Sequence, residues 1–239
     1  MKLTIIETGL VHPAIRDRFG DYPAMFRHIM SGAGTYTFET VSVVKGEALP
    51  EPGSLDGILF TGSASGVYDD EPWIGPLEDF IRAAAAAAVP QAGICFGHQI
   101  LAEALGGKVV KSDRGWGAGR HTYRIVSCPP FIDEGCPASV SATASHQDQV
   151  VELPPGAQIV AASDFTPYAA LYYPDAPALS FQCHPEFGDG FSAALYEALQ
   201  PKLGEALAAS AIASLQGPDD HARLAGWIAA FFDAHRRNR

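Results

Sequence analysis

The segment that most constrains the fold is QAGICFGHQILAEALGG, from Gln91 to Gly107. A short apolar run precedes Cys95, and a stretch with helical spacing follows it as far as a pair of glycines. This pattern predicts a buried strand over Gln91–Ile94, a tight turn at the cysteine, and a helix over Phe96–Leu105 that ends at the glycines. A strand that turns directly into a helix is typical of the βα units of a parallel sheet.

The first half of the chain repeats this alternation of strand and helix. We expect strands at Leu3–Ile6, Tyr36–Val44 and Leu55–Phe60, and helices at Tyr22–Met30 and Leu77–Ala88. Such alternation predicts an α/β fold with an open, mostly parallel sheet of the flavodoxin-like type and helices on both faces.

The pattern changes after Gly107, where short β-rich runs are separated by Gly, Pro, Asp and Ser. Meanders of this kind predict antiparallel additions to the sheet. The strands are expected at Val109–Val110, His121–Val126, Ser139–Ala144, Gln158–Ala162, Tyr168–Tyr173 and Ala178–Gln182, and the helices at Ala193–Leu199, Leu203–Leu215 and His221–His235.

The sequence contains no interdomain linker, so residues 1–239 are predicted to form a single domain with a helical tail at about 203–239. The tail is amphipathic, because Leu224, Ile228 and Phe231 fall on or near one face of the last helix. Two interpretations of that face remain open: it packs on the chain's own sheet, or it docks a partner.

Composition excludes several classes of function. Hydrophobic residues make up 47% and charged residues 18%, so a sizeable core is expected and disorder is not. The net charge of −11 gives no general attraction to phosphate backbones, so no nucleic-acid partner is predicted. No apolar run reaches about 18 residues, and no membrane partner is predicted.

The start of the sequence lacks the long apolar region of a signal peptide, so a cytoplasmic location is expected. The cysteines are Cys95, Cys128, Cys136 and Cys183, and no two of them form a C-x-x-C pair. A reduced setting is therefore the default, with Cys128 and Cys136 inert, and neither a cofactor nor a metal site is predicted.

The stretch Gly93-Ile94-Cys95-Phe96-Gly97 has the G-x-nucleophile-x-G form of a nucleophile elbow. In such an elbow the nucleophile has a strained backbone, and flanking glycines prevent clashes around it. The N-terminus of the following helix favours a thiolate. The alternative is a buried cysteine in a glycine-rich turn, and the pentapeptide alone leaves both open.

A thiolate nucleophile needs a base and a group that orients the base. His184 directly follows an apolar strand, and Glu186 lies two residues further on, in the sequence CHPE. An acyl-transfer intermediate also needs an oxyanion hole. The N–H groups of Phe96, next to the cysteine, and of Gly62, in the turn of LFTGSASG, are the candidate donors.

Together these residues resemble the class I glutamine amidotransferase family, and most of all its GMP-synthetase-like members. GICFGHQ is similar to the family's nucleophile motif, CHPE to its His-x-Glu motif, FTGSASGVYDD to its oxyanion loop, and SHQDQV to a fourth segment. The resemblance runs from about Leu3 to Phe187. It implies that Cys95 is the nucleophile, His184 the general base and acid, and Glu186 its orienting partner.

The resemblance also implies a substrate site. Gln99, one helical turn beyond the nucleophile, would contact the amino-acid end of the substrate. Ser145, His146 and Gln147 lie where the family holds the α-amino and α-carboxyl groups. One departure concerns the oxyanion loop, where the family usually has Gly-Gly-Pro and this chain has Thr61–Ser63, of sequence Thr-Gly-Ser.

The leading hypothesis is a free-standing cysteine amidase that hydrolyses the γ-amide of glutamine, or γ-glutamyl amides and peptides, through a glutamyl thioester. One alternative is a glutaminase subunit that supplies ammonia to a separate synthetase, since the chain has no S-G-G-x-D-S-type ATP loop of its own. A non-catalytic regulatory protein on the same fold is another. A relation to DJ-1-like proteins is disfavoured, because they usually have a histidine after the cysteine, where this chain has Phe96.

Overall fold

The computed structural model describes residues 1–132 and 135–236. Its strands are β1 (Lys2–Glu7), β2 (Thr37–Ser42), β3 (Gly57–Phe60), β4 (Gln91–Ile94), β5 (Lys108–Lys111), β6 (Gly117–Ile125), β7 (Ser139–His146), β8 (Asp148–Glu152), β9 (Gln158–Ala162), β10 (Ala170–Tyr173) and β11 (Ala178–Phe181). Its helices are α1 (Pro13–Phe19), α2 (Tyr22–Ala33), α3 (Ile74–Ala86), α4 (Phe96–Ala104), α5 (Asp189–Ala198), α6 (Gln200–Leu203), α7 (Glu205–Ser214) and α8 (His221–Ala234).

A mixed sheet organises these elements. It has nine strands in the order β2-β1-β3-β4-β11-β10-β9-β6-β7. The first five are parallel and the remaining pairings are antiparallel. The predicted α/β class, with a mostly parallel core and antiparallel additions, is therefore confirmed. Strand β11 pairs in parallel with β4. The segments that follow these two strands are far apart in the chain, but both begin at the carboxyl ends of the parallel strands.

Helices cover both faces of the sheet because the central strands are apolar on both sides. In β3, for example, Leu59 packs in the cluster that includes α2 and α8, whereas Ile58 and Phe60 pack in the cluster that includes α3 and α4. All three side chains have no exposed surface. Burial of each contributes about 1.5–3 kcal/mol, which fixes the sheet as a rigid platform.

The C-terminal helix α8 belongs to the core. Its apolar side chains Leu224, Trp227, Ile228, Phe231 and Phe232 are buried in the same cluster as residues of β1, β4 and α2. This face therefore packs on the chain's own sheet and is not available for docking. Residues 237–239, the last three of the predicted tail, lie outside the described residues.

Three elements escape the sequence analysis. Helix α1 is only seven residues long and carries a single buried side chain, Ile15, so it has no readable periodicity. Strand β8, DQVVE, pairs with β5 in a separate two-stranded ribbon. The four-residue helix α6 is also missed, and the predicted helix Leu203–Leu215 begins only at Glu205 of α7, because Gly204 between the two has a φ of 82°.

The expectation of reduced cysteines is wrong for one pair. Cys128 and Cys136 form a disulfide, with their Cα atoms 5.7 Å apart across a turn, within the range that a disulfide spans. Cys95 and Cys183 are free and buried. Within residues 1–132 and 135–236, no helix has the length and apolar character needed to cross a bilayer.

Candidate active site

The turn between β4 and α4 places Cys95 in a strained conformation. Its φ of 55° and ψ of −104° lie outside the regions that a side chain ordinarily allows. The flanking glycines make the turn possible. A Cβ on Gly93 would lie 2.3 Å from the carbonyl oxygen of Gly97, and one on Gly97 would lie 2.5 Å from the carbonyl oxygen of Phe60. The backbone at Gly97 therefore packs closely against Gly93 and against the end of β3, as the elbow motif predicts.

His184 reaches the same edge of the sheet from β11. The backbone N–H of Cys95 donates to the carbonyl of Phe181, so the chain continues the β4–β11 ladder up to the elbow. Three residues beyond Phe181, the backbone N–H of His184 donates to the carbonyl of Thr143 on β7, at 2.8 Å. The backbone of the histidine is thus held between two strands.

The side chains of Cys95, His184 and Glu186 form one array of interacting groups. The Nδ1 atom of His184 lies 2.7 Å from Oε1 of Glu186, and the imidazole also interacts with the thiol of Cys95. Because Nδ1 is occupied by the carboxylate, we infer that Nε2 is the ring nitrogen that serves the thiol. This order of contacts matches the nucleophile, base and orienting group expected from the sequence.

The array changes the titration of His184. Burial by itself lowers the pKa of the imidazole, but the charges of Glu186 and Cys95 together outweigh it and raise the pKa above its ordinary value. A raised pKa keeps the ring protonated through neutral pH, which places a positive charge beside the sulfur of Cys95. The ring also stacks on Phe187, with centroids 3.9 Å apart and planes 5° from parallel, which fixes its orientation.

Two backbone amides flank the sulfur. Phe96 is the first residue of α4, so its N–H is among those that lack an acceptor within the helix. Gly62 follows the carboxyl end of the neighbouring parallel strand β3, where a Cβ would be 3.1 Å from Cε1 of His184 and 3.7 Å from Cβ of Cys95. The structure therefore brings together the amides that the sequence analysis proposed as oxyanion donors.

The residues proposed to hold the substrate lie along one wall of the same cavity. Ser145 and His146 end β7, Gln147 joins it to β8, and the carbonyl of Ser145 is 3.9 Å from the sulfur of Cys95. Burial of the His146 ring, together with the charge of His121, lowers the pKa of His146 to about 3. The imidazole of His146 therefore stays neutral.

Gln99 lines the cavity but is tied to the protein. Its side-chain N–H₂ donates to the carbonyl of Asp148 at 2.8 Å and to Oε1 of Gln182 at 3.1 Å. Gln99 is also almost fully buried. In this structure its amide nitrogen therefore fixes the β7–β8 turn, a role that the sequence analysis did not foresee.

The cavity has a volume of about 870 Å³ and extends well beyond these residues. On the side of His184, Tyr22 stacks on Phe187 with ring centroids 5.8 Å apart, and Leu199 adds further apolar surface. On the other side lies Asp148, whose pKa is raised by burial although Tyr68 hydrogen-bonds to it.

The sequence analysis missed Tyr22, Tyr68 and Asp148. Tyr22 lies on a helix that carries no motif, so no local signal could have identified it, whereas Tyr68 lies inside the FTGSASGVYDD segment. Asp148 lies inside the SHQDQV segment, and that motif was the one available signal for it.

Comparison with known proteins agrees with this geometry. The model of the family "Glutamine amidotransferase class-I" matches residues 31–194 of the chain. This chain belongs to the class I glutamine amidotransferase family. The predicted family is therefore confirmed.

Two relatives and one solved structure illustrate the range of the family. The chain is 38% identical to GMP synthase [glutamine-hydrolyzing] of Aquifex aeolicus over 54% of its length, but it spans only 24% of that protein. It is 31% identical to gamma-glutamyl peptidase 4 of Arabidopsis thaliana, over 71% of this chain and 69% of that one. The crystal structure of a glutamine amidotransferase from Thermotoga maritima has the same fold, with a TM-score of 0.76 at 22% identity over 98% of this chain and 97% of the other.

Proposed function

We propose that this amidotransferase-family chain hydrolyses γ-glutamyl amides and peptides through a glutamyl thioester on Cys95. One observation carries the proposal: His184 contacts both the elbow thiol and, at 2.7 Å, the carboxylate of Glu186. Such an array provides a nucleophile, a proton carrier and a group that fixes the tautomer of that carrier.

In the first half of the reaction the thiolate of Cys95 attacks the γ-carbonyl carbon. The carbonyl π electrons move to oxygen, and the N–H groups of Gly62 and Phe96 stabilise the resulting oxyanion. The imidazolium of His184 then gives its proton to the leaving nitrogen, and the C–N bond breaks. An amine or ammonia departs, and a γ-glutamyl thioester remains on the enzyme.

In the second half water replaces the amine. His184, now neutral, takes a proton from the water as the oxygen attacks the thioester carbon. The tetrahedral intermediate uses the same two amides. When it collapses, the C–S bond breaks, the γ-carboxyl group of glutamate forms, and the thiolate–imidazolium pair is restored. Glu186 holds Nδ1–H of the histidine throughout.

The cavity favours a leaving group larger than ammonia. The leaving nitrogen must face His184, which protonates it, and on that side the cavity is walled by Phe187, Tyr22 and Leu199. Burial, followed by the charges of Glu186 and Cys95, raises the pKa of Tyr22, so the phenol stays protonated and can donate a hydrogen bond. A largely apolar wall with a tyrosine donor suits an organic amine or peptide, in line with the gamma-glutamyl peptidase relative.

A second candidate is a glutaminase that releases ammonia to a separate synthetase. It is favoured by the similarity to the GMP synthase of Aquifex aeolicus, of which the chain spans only 24%. In that case the remaining functions would reside in a partner protein, and turnover by the isolated chain would depend on it.

The test is release of glutamate by the purified chain from L-glutamine and from γ-glutamyl dipeptides with small, charged and aromatic leaving groups. Cys95→Ala provides the blank. We expect turnover without a partner, with a higher kcat/KM for peptides than for glutamine. If no substrate exceeds the blank until a cell extract is added, the subunit function is correct; no activity under either condition would favour a non-catalytic role.

A further inference from the structure

Two buried threonines join the ends of β1 and β3. Thr8 follows β1, Thr61 follows β3, and neither side chain has any exposed surface. The backbone N–H of Thr8 donates to Oγ1 of Thr61 at 3.0 Å. The hydroxyl of Thr8 lies 2.8 Å from the carbonyl oxygen of Thr61, and the two hydroxyl oxygens are 3.1 Å apart.

One assignment of the two hydroxyl protons satisfies both carbonyls of the loop. Thr61 Oγ1 accepts from the N–H of Thr8 and donates to the carbonyl of Gly62 at 3.1 Å. The hydroxyl of Thr8 is then free to donate to the carbonyl of Thr61, its shortest contact. Both carbonyls of the loop are therefore held by buried hydroxyl groups.

The orientation of the Gly62 N–H follows from the carbonyl of Thr61. Because the peptide unit is planar and trans, the Thr61 carbonyl and the Gly62 N–H point in opposite directions. That carbonyl accepts from the hydroxyl of Thr8 and from the N–H of Gly97 in α4, at 3.1 Å. Neither donor lines the cavity, whereas Gly62 does, so we infer that the carbonyl faces away from the cavity and that the N–H of Gly62 faces into it.

We propose that Thr8 is a positioning residue for the oxyanion hole, acting through the carbonyl of Thr61 on the N–H of Gly62. The proposal rests on the function given above, in which that N–H stabilises the oxyanion. It also accounts for the departure from Gly-Gly-Pro. The side chain of Thr61 supplies contacts that a glycine could not, so the loop is held without a proline.

All the contacts that hold the Thr61–Gly62 peptide come from this chain itself. A Cβ on Gly9, the residue after Thr8, would lie 2.6 Å from the carbonyl oxygen of Gly62 and 2.6 Å from Cα of Ser63. The two loops are thus packed backbone against backbone. No partner is needed to form the Gly62 donor, and the oxyanion hole is assembled in advance of substrate.

The direct test is a pair of crystal structures, of Thr8→Val and Thr8→Ser. Valine has the shape of threonine but no hydroxyl, whereas serine keeps the hydroxyl. We expect the Thr61–Gly62 peptide plane to rotate in Thr8→Val and to keep its orientation in Thr8→Ser. An unchanged plane in Thr8→Val would overturn the proposal, and this readout does not depend on whether any γ-glutamyl substrate is turned over.

The kinetic test compares turnover with alkylation of Cys95 by iodoacetamide, which forms no oxyanion. Loss of a whole oxyanion donor costs about 10²–10³ in kcat, so a misdirected donor in Thr8→Val is expected to lower kcat about tenfold. KM and the alkylation rate should stay near those of the natural protein, and Thr8→Ser should restore most of kcat. Normal kcat in Thr8→Val, or an equal loss of alkylation rate, would refute the role.

A matched control is available on the same strand. Thr4 of β1 is also buried, and its hydroxyl has no hydrogen-bond partner among the described residues. Thr4→Val should therefore leave kcat unchanged. If Thr4→Val lowers kcat as much as Thr8→Val does, the effect comes from general packing of β1 and the proposal fails. Absence of turnover in the natural chain would refute the proposed function alone, since the crystal structures would still decide the role of Thr8.

Discussion

Two loops approach the sulfur of Cys95, and they are held in place by opposite means. The elbow from Gly93 to Gly97 depends on residues without a side chain, since a Cβ at either glycine would lie within 2.5 Å of a backbone oxygen. The loop from Thr61 to Ser63 depends on side-chain hydrogen bonds, which the hydroxyls of Thr61 and Thr8 make. The first device is visible as a local pattern, whereas the second depends on a residue far away in the chain.

The comparison teaches that the two halves of the site should respond differently to substitution. Most substitutions in the elbow or in the His184–Glu186 pair should impair the protein. The elbow has no room for a larger side chain, and few other residues can transfer the proton. The threonine loop should tolerate any side chain that restores the hydroxyl. The following predictions test this difference, beginning with the largest effect.

The first prediction concerns proton transfer at the elbow. His184→Ala should lower kcat by about 10⁴-fold or more, because the thiol loses both its base and the acid that protonates the leaving group. Glu186→Gln should keep a measurable fraction, since the glutamate only orients and stabilises the ring. Steady-state glutamate release measures both.

Combining the two substitutions tests whether His184 and Glu186 act together. The double variant of His184→Ala and Glu186→Gln should be little worse than His184→Ala alone, because the residues act as a unit. Circular dichroism must show that each variant is folded. A folded His184→Ala protein with near-natural turnover would refute the proposed triad.

The second prediction concerns the elbow backbone. Gly97→Ala places a Cβ 2.5 Å from the carbonyl oxygen of Phe60 and should lower the free energy of unfolding by about 2 kcal/mol or more. Gly226→Ala is the matched control, because Gly226 lies inside α8 with nothing within 4 Å of a new Cβ. It should raise stability by about 0.5–1 kcal/mol. Urea unfolding measures both, and equal stabilities would contradict the packing described for the elbow.

The third prediction concerns the two free thiols and pH. A brief iodoacetamide pulse should label Cys95 far faster than Cys183, because burial raises the pKa of the Cys183 thiol. The raised pKa of His184 has a definite sign: the imidazolium is present at neutral pH and is lost only as pH rises through that pKa. The pH dependence of Cys95 labelling should therefore differ between the natural protein and His184→Ala, which lacks the imidazolium.

Peptide mapping at several pH values provides the measurement. Faster labelling of Cys183, or the same pH profile in the natural protein and in His184→Ala, would show that the imidazolium does not stabilise the thiolate.

The smallest effect is expected at the threonine loop. Thr61→Ser keeps the hydroxyl that accepts from Thr8 and donates to Gly62, so kcat should change less than about threefold, well below the loss of an oxyanion donor. Thr61→Val removes it and leaves the buried N–H of Thr8 without its acceptor, which costs about 1–3 kcal/mol. Thermal unfolding and steady-state kinetics distinguish the two. A serine variant as impaired as the valine variant would mean that the methyl group, and not the hydroxyl, holds the loop.

The amino-acid pattern alone predicts the parallel core, the elbow and the candidate residues at the carboxyl ends of two strands. Strand–turn–helix units, flanking glycines and the His-x-Glu spacing are local patterns that arise from backbone geometry and side-chain chemistry within a few residues. That is why Cys95, His184, Glu186, Gly62 and Phe96 could be placed around one site before any fold was available.

Only the tertiary structure decided the rest of the site. Thr8 and Thr61 are 53 residues apart, and their hydrogen bonds form only because β1 and β3 are neighbours in the sheet. Tyr22, from α2, reaches the cavity for a similar reason, and the Cys128–Cys136 disulfide depends on a turn that brings the two residues together. Contacts of this kind depend on distance in space and leave no periodicity or spacing in the chain.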